Sequence, residues 1–334
     1  MKKVYIFLCG LILSLAMNPD LSSAGPSWVS LAGTNKEDIQ KLVSTGDGTI
    51  YSLTGKGRVL RLEKDEKSWI PLEKGFEVFQ QPKVISLTSH QGRLYALAVS
   101  NDGKQGDVFQ WGEGSWQRLH LPIKNPAFVE GHNALLVNDH GIVIQKAIDS
   151  GDPSILLEKT GGAWKETTLP HSQFEKMIIG KIHPFYGLSG QIFVIGAGGK
   201  GVLLGTQWPN TAAVDVLEVG KDIYSSNTFT NGGLLLLKFG QGAWKRTSFP
   251  ENCHFPSSLY SSGNQIYLKG SCGTADQKKD KIFSYSTPND SWHAIESPFP
   301  NAQSLGPLLV SGGFLYLATE NGGFYKLKTS DRGS

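Results

Sequence analysis

Short apolar runs separated by turn residues follow one another along the whole chain. Between Gly92 and Pro122 this pattern predicts three strands in succession, over Arg93–Ala98, Asp107–Trp111 and Ser115–Leu121. The segments that join them are rich in Gly, Asn and Asp, which favour turns. No apolar spacing at i, i+3 and i+4 is sustained, and the 40 glycines would weaken helices. The pattern therefore predicts an all-β protein.

The same succession of strands recurs along the chain, and a tryptophan marks the last strand of each copy. These tryptophans are Trp28, Trp69, Trp116, Trp164, Trp208, Trp244 and Trp292. An apolar strand centred on an aromatic or β-branched residue recurs as well, at Tyr51, Tyr95, Val143, Phe193, Tyr224, Tyr267 and Tyr316. Most spacings lie in the forties, which is the period of a propeller blade built from four short strands.

The two ends of the repeat predict how the ring closes. No Trp follows Tyr316, and no strand precedes Trp28. The C-terminal segment is therefore expected to supply three strands of the last blade and Ser27–Leu31 the fourth, which would give seven blades without an open sheet edge. The copy over residues 171–212 is the least regular, because Pro209 directly follows Trp208; without it the count is six. A β-sandwich with accidental spacing is the alternative fold.

The N-terminal residues 1–24 have the pattern of a secretory signal peptide. Two lysines precede an apolar run from Val4 to Ala16, and cleavage is expected after Ala24. The run is too short to span a bilayer comfortably. Cys9 lies inside it and lacks the preceding small residues of a lipid-anchored cysteine.

Residues 25–334 are expected to form a single exported propeller domain, periplasmic or extracellular, that exists as a monomeric ring. A ring of this size is feasible because each blade packs mainly on its two neighbours. Net charge is only +3, which argues against nucleic-acid binding. The basic cluster Lys278, Lys279 and Lys281 is interleaved with acidic residues and is expected to be a solvated loop.

Two cysteines remain after signal cleavage, Cys253 and Cys272. A tight turn at Gly263-Asn264 would bring them to the same end of one hairpin. In an oxidising compartment a disulfide is favoured over two free thiols.

Loop length and polarity are expected to concentrate on one face, where second-to-third and fourth-to-first loops emerge. These loops cover 54–57, 100–107, 149–154 and 271–281, and 73–82, 170–176 and 250–256. Their candidate binding residues are Asp102, Asp107, Asp149, Asp152, Asp276 and Asp280. They could hold a divalent cation or a polar ligand, or they could be ordinary turn formers beside glycine. No segment matches a twelve-residue calcium loop.

No catalytic residue is predicted. The histidines are dispersed, at 90, 120, 132, 140, 171, 183, 254 and 293, and only His171, His183 and His254 fall where they could point into a central channel. A G-x-S-x-G elbow, a P-loop and a dinucleotide fingerprint are all absent from the sequence. The stretch Gly196–Gly201 is glycine-rich but is not followed by a helix that could bind an anion.

An apolar strand with Tyr, a Gly-rich turn, a second apolar strand and a Trp opening the next strand resemble kelch-type β-propeller repeats over nearly all of the mature chain. The segments YSLTG, YALAV and YLKGS lack the Gly-Gly pair of kelch blades, and the aspartate box of sialidase-like propellers is missing. The resemblance implies the fold and no particular activity.

The expected function is therefore non-catalytic binding of a protein or glycan partner through loops on one face. No cofactor is predicted, apart from a divalent cation that the loop carboxylates could bind. The alternative is a propeller enzyme, a hydrolase or lyase acting on sugars or lactones at the channel mouth. Copper-radical oxidase chemistry, which the kelch resemblance raises, needs a Cys–Tyr crosslink, and pairing of both mature cysteines disfavours it.

Overall fold

The computed structural model describes residues 27–33, 37–79, 81–121, 135–139, 141–144, 155–160, 163–168, 176–179, 184–188, 191–195, 201–206, 211–229, 234–247, 253–254, 259–273, 279–298, 305–319 and 322–329. In these ranges the chain forms 29 strands that assemble into seven sheets. None of the described residues belongs to a helix long and apolar enough to cross a membrane.

The first strand along the chain, β1 (Val29–Leu31), belongs to the last sheet. Sheet 1 contains β2 (Ile39–Ser44), β3 (Ile50–Thr54), β4 (Val59–Leu62) and β5 (Trp69–Pro71). Sheet 2 contains β6 (Lys83–His90), β7 (Arg93–Val99), β8 (Gly106–Gly112) and β9 (Ser115–Arg118). Sheet 3 contains β10 (Leu135–Asn138), β11 (Gly141–Ile144), β12 (Ile155–Thr160) and β13 (Ala163–Thr168).

The second half of the chain repeats this order. Sheet 4 contains β14 (Lys176–Ile179), β15 (Pro184–Leu188), β16 (Gln191–Ile195) and β17 (Gly201–Thr206). Sheet 5 contains β18 (Thr211–Val219), β19 (Asp222–Phe229), β20 (Leu234–Gly240) and β21 (Ala243–Arg246). Sheet 6 contains β22 (Cys253–His254), β23 (Tyr260–Ser262), β24 (Gln265–Cys272), β25 (Lys279–Ser286) and β26 (Ser291–Ile295), and both β22 and β23 pair with β24.

Sheet 7 combines the first described strand of the chain with the last three. It contains β27 (Leu305–Ser311), β28 (Phe314–Thr319) and β29 (Phe324–Lys328), and β1 lies antiparallel to β29 as its fourth strand. The register pairs Val29 with Lys326 and Leu31 with Phe324. The residues around Ser27–Leu31 thus take the position that the repeat predicted for them.

The apolar core lies between successive sheets. Phe76, Phe109 and Trp116 belong to one cluster that joins sheets 1 and 2. A second cluster joins sheets 1 and 7 and includes Ile39 and Tyr316. Alternating apolar side chains of neighbouring strands therefore bury both faces of a sheet, which is why the central strand β7 is almost continuously buried.

At three sheet borders the tryptophan that marks the repeat binds the preceding sheet. Trp116 Nε1 donates to the carbonyl of Leu72 at 2.9 Å, directly after β5. Trp28 Nε1 donates to the carbonyl of Glu296 at 2.6 Å, directly after β26. At these borders the Trp thus supplies one hydrogen bond between consecutive sheets as well as buried area. Trp244 is an exception, because its buried Nε1 has no hydrogen-bond partner among the described residues.

The strand bounds differ from the predicted ones at several loops. Asp107 lies in β8, and Lys279 and Lys281 lie in β25, so the loops before these strands are shorter than the sequence suggested. Lys279 and Lys281 are exposed, but on a strand and not on a loop; Lys278 lies outside the described residues. The fourth strand of sheet 4 is β17, which ends before Trp208. Trp208, which spacing assigned to the opening of such a strand, also lies outside the described residues.

Candidate functional site

The loops that follow second strands lie beside the loops that lead into first strands. Val84 N, near the start of β6, donates to the carbonyl of Gly57 at 3.0 Å. Asn101 Nδ2 and Gln81 Oε1 are 3.4 Å apart. These contacts define a loop face, which in sheets 1 and 2 comprises residues 55–58, 72–79, 81–82 and 100–105.

A pocket of about 290 Å³ opens on the loop face between sheets 1 and 2. Its floor is apolar, because four buried side chains line it: Val59, Leu72, Phe76 and Val84. Its rim is charged and carries Arg58, Glu73 and Glu77. We call this cavity the Arg58 pocket.

Two carboxylates hold the guanidinium of Arg58. Nη1 lies 2.7 Å from Glu37 Oε1, and Nε and Nη2 lie 3.2 and 3.0 Å from Glu73 Oε1. Burial acts to lower the pKa of Arg58, but the charges and hydrogen bonds of Glu37 and Glu73 outweigh it and raise the pKa. Arg58 is therefore a fixed cation whose donors face protein carboxylates, and it shapes the rim.

Glu77 completes the rim as a fixed anion. Its Oε2 accepts a 2.8 Å hydrogen bond from Gly75 N. This backbone bond, followed by one from its own amide, lowers the pKa of Glu77. The side chain is exposed, so it presents a negative charge over the apolar floor at neutral pH.

Two glycines allow the chain to form this pocket. Gly75 has a φ of +108°, and a Cβ there would lie 2.2 Å from the carbonyl oxygen of Trp116. Gly57 has a φ of +74°, and a Cβ there would lie 2.4 Å from Lys83 Cγ. Both positions need the left-handed backbone and the close approach that only glycine permits without strain.

A second cavity, of about 220 Å³, lies on the other side of Arg58. Glu37, Lys67 and Trp69 line it together with Gly33, which follows β1. This cavity lies at the border between sheets 7 and 1, and it adjoins the Arg58 pocket because Arg58 lines both cavities.

Three of the six candidate aspartates fall within the described residues, and they lie in different settings. Asp102 is exposed and accepts hydrogen bonds from Ser100 Oγ at 2.6 Å and Lys104 N at 3.1 Å. The Ser100 bond and then the Lys104 amide lower its pKa. This is the geometry of a turn-forming aspartate.

Asp107 is buried in β8 instead of exposed on a loop. Its Oδ2 accepts from Arg118 Nε at 2.6 Å, and its Oδ1 accepts from Leu121 N at 3.2 Å. Asp280 accepts from Leu305 N at 2.8 Å, which ties β25 to the first strand of sheet 7. Asp149, Asp152 and Asp276 lie outside the described residues.

No cluster of three or more His, Cys, Asp or Glu side chains suited to a metal ion occurs among the described residues. His90 Nε2 lies 2.9 Å from Asp139 Oδ1, and His120 and His293 are exposed. His254 lies in β22, while the structure does not describe the four remaining histidines, at 132, 140, 171 and 183. Cys253 and Cys272 form a disulfide with 4.0 Å between their Cα atoms and pair across β22 and β24.

The first strands of four sheets carry an irregular register near their start. It falls between Ile39 and Lys41, Val84 and Ser86, Ala213 and Asp215, and Leu305 and Leu308. In two sheets the residue after the irregularity binds the next sheet. Ser86 Oγ accepts from Leu135 N at 3.2 Å, and Asp215 Oδ2 accepts from Leu259 N at 2.8 Å. A β-bulge of this kind redirects a side chain.

Lys41 occupies the same position in sheet 1. Its side chain is half-buried, and burial lowers the pKa of the Lys41 amine to about 8, partly opposed by the negative charge of Asp215. Strands β2 and β18 belong to sheets 1 and 5, so the two charges interact between sheets that are not consecutive.

Sequence reasoning missed Arg58, Glu73, Glu77 and Lys41 as site residues. The first three lie in or beside the loops 54–57 and 73–82, so loop length was the available signal. For Lys41 the signal was a single cation in the strand IQKLVS, between the apolar residues Ile39 and Leu42.

No protein-family model matches the chain, and no curated protein matches it either. Several solved structures, however, are similar to it. The xyloglucanase of glycoside hydrolase family 74 from Xanthomonas campestris is 13% identical with a TM-score of 0.65, over 92% of this chain and 54% of that one. The present chain thus spans about half the length of the xyloglucanase.

Two further structures match over almost their full length. The Cps50 (Swd1) β-propeller domain from Myceliophteria thermophila is 11% identical with a TM-score of 0.59, over 90% of this chain and 99% of that one. YCF48 bound to the D1 peptide is 10% identical with a TM-score of 0.61, over 92% and 97%. At such identities the likeness concerns the fold alone and does not favour the kelch type over other propellers. The chain has the fold of a β-propeller.

Proposed function

We propose that this protein is an exported, seven-bladed β-propeller that binds a polypeptide partner through its loop face. The observation that carries the binding proposal is the Arg58 pocket, which combines a buried apolar floor with a few charged groups at its rim. This combination is typical of binding pockets, because the floor supplies contact area and the polar groups orient the ligand.

Closure of the ring is supported by three contacts made by the strands of sheets 7 and 1. β1 pairs with β29, a common apolar cluster joins sheets 7 and 1, and Trp69 Nε1 donates to Ala32 just after β1. The charge of Asp215 also acts on Lys41 from a non-consecutive sheet, as expected where first strands surround one axis. We propose that the closed ring is monomeric.

The volume of the pocket favours a polypeptide over a glycan. Pockets for small molecules enclose about 300–1000 Å³, so a cavity of about 290 Å³ suits one anchoring side chain better than an extended sugar chain. YCF48, one of the similar structures, is bound to a peptide. A partner that inserts one side chain and covers the surrounding loops fits this face.

Export is supported by the disulfide Cys253–Cys272, since disulfides persist mainly in oxidising compartments. Together with the signal-peptide pattern of residues 1–24, this favours a periplasmic or extracellular location.

The binding proposal is tested with a matched pair of valines. Val78 on the loop face and Val29 on β1 are the two large hydrophobic residues exposed in the described part of the chain, at 51% and 50%. Purified wild-type protein, Val78→Glu and Val29→Glu are used to capture partners from an envelope extract of the source cells. We expect a stoichiometric partner that Val78→Glu loses and Val29→Glu retains. Equal capture by all three proteins would contradict binding at this face.

A second candidate function is enzymatic, and the observation that favours it is Lys41. An amine with a pKa of about 8 is close to the range in which lysine acts as a general base. The substrate would be a sugar or a lactone at the mouth of the central channel. Hydrolysis or elimination by the wild-type protein that Lys41→Met abolishes would support this function; activity equal in both proteins would exclude a role for Lys41.

A further inference from the structure

The single cation that lines the Arg58 pocket already binds two protein carboxylates, and this restricts the class of ligand that the pocket can accept. The three Arg58 nitrogens bind Glu37 and Glu73 at 2.7 to 3.2 Å. Three of the five N–H donors of Arg58 are thus used. The negative charges of Glu37, Glu73 and Glu77 beside it would repel an anionic ligand, which makes an acidic side chain a poor occupant.

The carboxylates at the rim, in contrast, can still accept hydrogen bonds. Glu73 is 66% exposed and uses one oxygen for Arg58, and Glu77 is exposed and oriented by Gly75 N. A carboxylate has about four lone-pair sites, so both keep capacity to accept hydrogen bonds. The nearby Lys56 and Lys74 do not line the pocket.

The space below these carboxylates is apolar. Phe76 and Leu72 are both 5% exposed and form the floor. A group that enters between Glu73 and Glu77 must therefore present hydrocarbon to the floor and a positive charge to the rim. Lysine and arginine meet both requirements, because their side chains carry a positive charge at the end of a long aliphatic stem.

We propose that the Arg58 pocket receives one Lys or Arg side chain of the partner polypeptide. Its stem packs on Phe76 and Leu72, and its cation binds between Glu73 and Glu77. Val78, half-exposed beside Glu77, contacts an apolar residue that lies next to this Lys or Arg in the partner. This inference rests on the proposed binding function and adds the chemistry of the anchoring residue.

The test uses two synthetic tripeptides that differ in charge and little in shape. Acetyl-Leu-Arg-Leu-amide is titrated into the purified protein, with acetyl-Leu-citrulline-Leu-amide as the neutral counterpart, and binding is followed by NMR or calorimetry. We expect the arginine peptide to bind at least tenfold more tightly than the citrulline peptide. We also expect its affinity to fall as salt is raised, because exposed charges are screened.

Protein variants then locate the site. The double substitution Glu73→Gln with Glu77→Gln should weaken binding of the arginine peptide at least tenfold, to about the affinity of the citrulline peptide, with little effect on the citrulline peptide. Glu113→Gln, on the turn between β8 and β9, is the matched control and should bind as the wild type does. A thermal unfolding curve confirms that each variant is folded.

Equal affinity for both peptides would overturn the inference, and so would an arginine preference that survives the double substitution. Absence of peptide binding at millimolar concentration would overturn it as well. None of these results affects the proposed function, which fails only if Val78→Glu captures the partner as well as Val29→Glu does. The two claims can therefore fail separately.

Discussion

Trp69 Nε1 donates a 2.9 Å hydrogen bond to the carbonyl oxygen of Ala32, which follows the outermost strand of the neighbouring sheet. Ala32 directly follows β1, so this bond joins sheet 1 to the sheet that combines β1 with β27, β28 and β29. Trp28 and Trp116 make the equivalent bond to Glu296 and Leu72. The same indole contact thus recurs at three consecutive sheet borders.

Trp69→Phe should lower the free energy of unfolding by about 1–2 kcal/mol, because the Ala32 carbonyl loses its donor and some apolar area is lost. Urea unfolding measures this loss. Trp111→Phe is the control, because Trp111 is half-buried and its indole has no hydrogen bond among the described residues. Equal losses in both variants would show that the bond to Ala32 contributes nothing.

Gly75→Ala should destabilise the protein by at least about 3 kcal/mol. The new Cβ would lie 2.2 Å from the Trp116 carbonyl oxygen, in a backbone with a φ of +108°. Gly114→Ala is the control for backbone strain alone, since Gly114 has a φ of +78° and no atom near its Cβ position. It should cost about 1–2 kcal/mol. Similar midpoints in chemical unfolding would contradict the close approach.

Lys41→Met should stabilise the protein at pH 7 by about 2 kcal/mol, because burial of the charged amine opposes folding. The pKa of Lys41 is lowered from 10.5 to about 8, so between these values the unfolded chain binds the proton and the folded chain does not. Wild-type stability should therefore rise with pH in this window relative to the variant. Unfolding curves at pH 7 and pH 10 measure the difference, which should shrink; a constant difference would mean that Lys41 does not titrate in this window.

Asp107→Ala should cost about 3 kcal/mol, because it leaves Arg118 and the Leu121 amide without their buried partner. Asp102→Ala should cost clearly less, since Asp102 is an exposed turn residue. Thermal unfolding measures the stability loss of both variants.

The same unfolding measurement with and without calcium, on the wild type and on Asp102→Ala, tests whether Asp102 binds a cation. If calcium stabilised the wild type and not Asp102→Ala, Asp102 would be a cation ligand as well as a turn former.

Replacing both Cys253 and Cys272 with Ala should cost about 3 kcal/mol, the amount expected for a crosslink that closes a loop of this length. The measurement is urea unfolding with and without a reductant. The reductant should destabilise the wild type by a similar amount and leave the double variant unchanged. An effect of the reductant on the variant would point to a cause other than this disulfide.

Part of the candidate site was accessible from sequence. The loops 54–57 and 73–82 were selected for their position between predicted strands, and Arg58, Glu73 and Glu77 lie in or beside them. The ion pairs of Arg58 could not be predicted from the sequence, because Glu37 and Arg58 come together only when β4 and the segment before β2 meet. Asp107 is predicted on a ligand surface because it ends the loop 100–107, but its position in β8 turns it inward, where Arg118 Nε and the Leu121 amide bind it.

By itself the sequence determined the succession of short strands and their repetition along the chain, and it predicted the pairing that β1 makes with β29. These follow from local alternation, turn residues and a recurring tryptophan, which act over a few residues and repeat along the chain. Tertiary structure alone decided which charges meet, as in the effect of Asp215 on Lys41 and the binding of Arg58 by Glu37 and Glu73. The physical reason is that such interactions depend on distances between sheets and on burial. Both arise only when the repeats pack against one another.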